Sequence, residues 1–89
     1  MFDAWRSVDR SARDVATMLE QFVSGEPTGF VADEFICTPI TDCQLEEIRD
    51  LFDRLASRHP EWEPQQPFPE AGRAELLALI ERARALAER

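Results

Sequence analysis

Lysine and tyrosine are missing from the 89-residue chain, histidine occurs once, cysteine twice and glycine three times. Each shortage removes a class of chemistry. Three glycines leave no phosphate-cradling loop and little material for any cofactor loop. A single histidine, His59, allows no Ser/His/Asp set and no H-E-x-x-H helix, and its place just before a proline at a helix tail suits a solvent-facing side chain. Two thiols, Cys37 and Cys43, fall short of the two close ligand pairs a zinc site takes, and the redox C-x-x-C spacing is absent. Reduced thiols with a structural or incidental role are the expectation, ahead of a disulfide or a metal site. No apolar run approaches the roughly 18 residues of a membrane span. The opening MFDAWRSVDRSARD lacks the basic-then-apolar order of a signal peptide. The expectation is one domain over residues 1–89, cytoplasmic, holding no cofactor or metal and catalysing no reaction.

What is present in excess is negative charge. Eighteen acids against ten bases, all of them arginine, give a formal charge of −8. From Glu26 to Glu63 ten acids face three arginines, a balance of −7 that is nearly the whole excess. A direct binder of DNA or RNA would show the opposite sign. Such a stretch is either a solvated face that keeps a small protein soluble or a surface for a basic partner. Paired carboxylates are abundant, but acid/base catalysis needs a cleft that shifts their pKa, which a periodic helical face does not offer.

Apolar spacing reads as helix throughout. Val8, Ala12, Val15, Leu19 and Phe22 recur at steps of three and four, widened by Met18 and Val23, and predict a helix from about Asp3 to Ser24. Gly25 and Pro27 stop it. A short helix is expected from about Gly29 to Cys37, capped by Thr28 and burying Phe30 and Phe35. Thr41 stands three before Gln44 in a capping-box pattern, with Ile40 and Leu45 at staple spacing, and this starts the next helix. That helix buries Leu45, Ile48, Leu51, Phe52 and Leu55, and carries Asp42, Glu46 and Asp50 at steps of four with Glu47 and Asp53 alongside. HPEWEPQQPFPE, with four prolines in twelve residues, reads as a rigid extended connection stapled by Phe68. The last helix, from Glu70 or Gly72 to Glu88, is expected to bury Leu76, Leu77, Ile80, Ala83, Leu86 and Ala87, with Arg82, Arg84 and Arg89 suiting its dipole. The expected architecture is all-α: a small antiparallel four-helix bundle with one short helix and a proline-rich loop before the last helix.

The succession LEQFVSGEPTGFVADEF, IRDLFDRLASRHPEWEP and RAELLALIERARAL resembles the colicin D immunity protein family, the self-protective colicin-like immunity proteins. Phe22 with Gly25, Phe35, Leu51 with Phe52, and Pro60-Glu61-x-Glu63 occupy the places of the family pattern, over about residues 18–86. The QQPFP insertion and Trp62 depart from it. The resemblance implies a small acidic helical protein that binds and neutralises the nuclease domain of a cognate toxin, a tRNA-cleaving enzyme, by covering its basic groove. Asp50 and the segment Pro60-Glu61-Trp62-Glu63 correspond to the acidic part of the family surface, and helical geometry alone adds Glu46, Glu47 and Asp53. Trp62 ringed by carboxylates is the candidate anchor of that interface, or else a core tryptophan closing the end of the bundle. The free protein is expected to be a monomer that touches neither nucleic acid nor membrane. The competing reading is a non-enzymatic helical adaptor that docks a partner or dimerises through an apolar surface; salt sensitivity separates the two.

Overall fold

Ser11 sets where the first helix begins. Its backbone is extended (φ −78°, ψ 157°) and its Oγ accepts from the Asp14 N–H at 3.0 Å, which satisfies an otherwise orphaned donor. The computed structural model describes residues 9–25, 35, 38–63 and 66–88, and in it α1 runs Ala12–Ser24. The expected start near Asp3 is therefore corrected, because Asp9 and Arg10 are not helical; residues 1–8, Trp5 among them, lie outside the described residues. Val15, Ala16, Met18, Leu19 and Phe22 form its buried stripe. Gly25 ends it with φ 73° and donates its N–H to the Gln21 carbonyl at 2.9 Å, the left-handed stop that glycine alone adopts without strain.

The short helix expected at Gly29–Cys37 falls outside the described residues except for Phe35, which is helical and fully buried. The next helix, α2 (Cys43–Ser57), begins one residue later than the capping-box pattern placed it. Asp42, not Thr41, is the cap: its Oδ1 accepts from the N–H groups of Gln44 at 2.9 Å and Leu45 at 3.1 Å. A carboxylate outcompetes a hydroxyl here because its bonds are charge-assisted and the helix dipole favours an anion. Leu45, Ile48, Phe52 and Leu55 are buried as expected, Leu51 only partly.

The loop into the last helix is turned rather than extended. Trp62 N–H donates to the His59 carbonyl at 3.0 Å and Gln66 N–H to the Glu63 carbonyl at 2.9 Å. Phe68 does staple it: the side chain is fully buried, and its N–H donates to the Phe22 carbonyl at 3.1 Å. Pro69 then hands over to α3 (Glu70–Ala87). The buried arc of α3 is Gly72, Leu76, Leu79, Ile80 and Ala83. Leu77 and Ala87, expected inside, are exposed, Leu77 by 47%. A residue next to Leu76 is turned about 100° around the axis, and the stripe of three- and four-residue steps passes through Leu79 instead.

α3 is the shared support. Arg84 pairs with Glu20 of α1 at 2.9 Å, and Arg82 reaches Glu47 of α2 at 3.4 Å, so these arginines tie α3 to both neighbours. At the other end of the α2 side, Arg58 pairs with Glu75. In each pairing a late residue of one helix meets an early one of the other, so α3 runs antiparallel to α2; Glu20 opposite Arg84, with Val23 beside Leu77 and Ile80, sets α1 the same way. The described residues are thus all-helical. No helix among them is long and apolar enough to cross a membrane.

Gly25 is required twice over. A Cβ there would lie 2.5 Å from the Gln66 carbonyl carbon and 2.6 Å from Pro67 N, besides the positive φ. Gly25→Ala is expected to lower unfolding free energy by at least about 1–3 kcal/mol, read as a fall in the urea midpoint, whereas an unchanged midpoint would deny the close approach of the two backbones.

Candidate functional site

Within the described residues the acidic stretch lies on α2 and the turn that follows it. The first carboxylate there, Asp42, is spent on the cap. One turn on, Glu46 is committed to the structure as well: its Oε1 accepts from the Ile40 N–H at 2.9 Å, so it performs the reach-back expected of Gln44. Arg49 grips the same carboxylate with two prongs, Nε to Oε1 at 2.7 Å and a terminal nitrogen to Oε2 at 2.8 Å. The Arg49 side chain is only 10% exposed, and so highly buried a guanidinium needs such a partner. The Arg49 hydrogen bonds, helped by the Ile40 N–H, hold the Glu46 carboxyl below its ordinary range against the opposing effect of burial. Glu46 in turn raises Arg49, with smaller help from Asp53 and Asp50.

The remaining carboxylates divide into paired and open. Glu47 leans toward α3 and Arg82, a quarter-turn away from Glu46, so the two do not share a face. Asp50 pairs with Arg54 at 3.1 Å on an exposed side. Asp53 and Glu63 make no ion pair among the described residues. Glu61 lies 3.4 Å from His59 Nδ1. Some eleven residues separate Glu46 from the end of α2, about 16 Å of helix, and Glu61 and Glu63 stand beyond that end. The seven expected site residues therefore form a strip with gaps rather than one compact patch.

Trp62 is the member that leaves the strip. Its ring lies 5.0 Å from Phe68, 5.5 Å from Phe22 and 6.0 Å from Phe52, and its Nε1–H donates to the Gln66 carbonyl at 2.9 Å. Both its apolar body and its polar edge are used within the chain, the arrangement of the closing tryptophan rather than of a projecting anchor. His59 is likewise drawn in: 17% exposed, edge-on to Phe68 at 5.5 Å, and seated over Gly72, where a Cβ would come within 2.7 Å of Nε2. The expectation of a solvent-facing histidine is corrected. Its sequence signal was Gly72, a glycine inside a helix that marks a close neighbour.

Sequence reasoning passed over two features. One is the burial of Arg49, whose i, i+3 spacing from Glu46 was the available sign. The other is an open groove of about 660 Å³ between α2 and α3, floored by Leu55 and Leu79 with Leu51 at its lip. It arises from the side-by-side placement of two helices far apart in sequence, which no local pattern encodes. No group of metal-binding side chains occurs among the described residues, and Cys43 is an exposed free thiol.

Two measurements follow from this arrangement. A depressed Glu46 pKa means that its contribution to stability is complete above the ordinary glutamate value of 4.5 and is lost as pH falls through the lower folded value. Glu46→Gln should cost about 1–3 kcal/mol near pH 7, with the wild-type and variant urea midpoints converging as pH falls below 4.5; parallel curves would contradict the clasp. Trp62→Ala should lower stability by on the order of 3 kcal/mol, where a projecting anchor would leave the melting curve in place. No protein-family model matches the chain, and no curated protein or solved structure matches it either.

Proposed function

We propose that the chain is an immunity protein: it binds a basic toxin nuclease of the tRNA-cleaving kind in the cytoplasm and covers its active-site groove with the acidic strip of α2 and the following turn. The observation that carries this reading is the disposition of arginines. All three in the acidic stretch are engaged within the chain, Arg49 by Glu46, Arg54 by Asp50 and Arg58 by Glu75. That leaves Asp53 and Glu63 with no ion pair among the described residues and Glu61 with only a histidine, so the strip keeps a net negative field. A nuclease groove shaped to hold phosphates supplies the opposite field, and opposite fields speed the encounter that protects the producing cell. The resemblance to the colicin D immunity family at Phe22, Gly25, Phe35, Leu51, Phe52, Glu61 and Glu63 points the same way. In this reading the bundle is a small antiparallel four-helix one, with one short helix and a proline-rich loop before the last helix. The protein is a monomer when free and has no catalytic activity of its own.

Of the expected contact residues, Asp50, Asp53, Glu61 and Glu63 bear the interaction most directly; Glu47 adds to the field from the α3 side, Glu46 holds the strip in shape, and Trp62 fixes the turn that presents Glu61 and Glu63. The test is capture from a lysate of the producing organism with the tagged chain, at low and high salt, followed by an RNA-cleavage assay on what is retained. The expected result is a basic nuclease whose cleavage the chain abolishes and whose capture at low salt falls at least tenfold on Asp50→Lys, Glu61→Lys and Glu63→Lys together. A partner without nuclease activity, held equally at both salts, would replace this reading with that of an adaptor.

A further inference from the structure

We infer that the groove between α2 and α3 is an anchor pocket for one apolar side chain of a basic partner segment, an inference that rests on the acidic-strip reading above. The groove adjoins the open end of that strip. Its bottom is closed by Leu55 and Leu79, 1% and 7% exposed, while Leu51 and Ala78 remain accessible at its lip. At about 660 Å³ it is within the size range of sites that accept small ligands or large side chains.

The charge of the rim selects the occupant. Arg54 and Arg58 stand at the edge, but Asp50 and Glu75 already neutralise them. Asp53, at the same edge, has no cation within ion-pair distance among the described residues. An incoming acidic segment finds no free positive charge there, whereas an arginine or lysine beside the inserted side chain can take Asp53, or share Glu75 with Arg58. A second copy of the chain is a poor occupant because it brings another −8.

The distribution of apolar surface sets the direction of insertion. Trp62 lies half-buried against the core rather than projecting, and among the described residues Leu77 is the one exposed large hydrophobic, set in the smaller α1/α3 groove on the far side of α3. Beside the acidic strip the chain therefore offers a concavity and no projecting anchor, so the anchor must come from the partner.

The test uses the full chain labelled with ¹⁵N and two peptides, acetyl-RRLRR-amide and acetyl-RRGRR-amide, titrated at low salt, with acetyl-EELEE-amide as the charge control. The leucine peptide should bind roughly fivefold tighter than the glycine peptide and shift the amides of Leu51, Leu55, Ala78 and Leu79. Ala78→Trp, at an exposed lip position, should erase that advantage, while Ala74→Trp, one turn away on the outer surface, should keep it. Equal binding of both arginine peptides, with shifts confined to Asp50, Asp53 and Glu63, would overturn the pocket and leave the acidic-strip reading standing. Binding of the acidic peptide as tight as that of the leucine–arginine peptide would overturn the choice of a basic partner. Absence of shifts from either arginine peptide would overturn both.

Discussion

The stacking of Phe22 on Phe52, with ring centres 5.1 Å apart and planes within 6° of each other, is the contact around which the rest of the molecule is arranged. α1 and α2 both pack along α3, and it is this stack that joins them to one another. Phe35, Trp62 and Phe68 surround it at 5.5–6.2 Å. Such pairs contribute roughly 0.5–1.5 kcal/mol each beyond the burial of their area. In a chain of 89 residues, where net stability is a small difference between large terms, five aromatic rings in mutual contact are a substantial share of what holds the fold. The turn that presents Glu61 and Glu63 is fastened to the same cluster from both sides, by Trp62 between them and Phe68 beyond.

Electrostatics is arranged around that cluster in two tiers. The Glu46–Arg49 clasp is largely sheltered from water and holds the chain entering α2 through the Ile40 N–H. The pairs Glu20–Arg84, Glu47–Arg82 and Glu75–Arg58 are more than two-fifths exposed at both partners, and each contributes at most about 1 kcal/mol. Their effect lies elsewhere: they consume arginine. Among the described residues, what is left outside an ion pair on α2 and the following turn is carboxylate, Asp53 and Glu63, so a chain that is internally well paired still presents a net negative strip.

The helices were legible in the sequence because their signals are local. The three- and four-step spacing of Val15, Leu19 and Phe22, or of Ile48, Phe52 and Leu55, needs no partner to be read, and neither does Gly25 as a stop. Where two local signals competed, the sequence alone could not rank them: Thr41 and Asp42 both qualify as caps, and the stronger acceptor took the position. The face of α3 was misread at Leu77 because two neighbouring leucines, Leu76 and Leu77, cannot both lie on one stripe, and only the positions of α1 and α2 decide which is covered. The candidate site was legible in composition but not in geometry. That Glu46 is bound, Glu47 turned aside, Trp62 folded inward and a groove left beside Asp53 all depend on which side chains meet across the fold.

The passage of the 66–68 segment over the end of α1 bears on the order in which the molecule can be made. Phe22 accepts a backbone hydrogen bond from Phe68, 46 positions later, and Gly25 is packed against the backbone of Gln66. The carbonyls at a helix end have no partners within the helix itself, and here one of them is satisfied by a stretch that a growing chain acquires only after α2. α1 is therefore a helix that local interactions can start but not complete. Its final turn is secured by closing a loop of more than forty residues, an entropic cost met only when most of the chain is in place. The end of α1 and the segment that enters α3 thus depend on each other for their native hydrogen bonding.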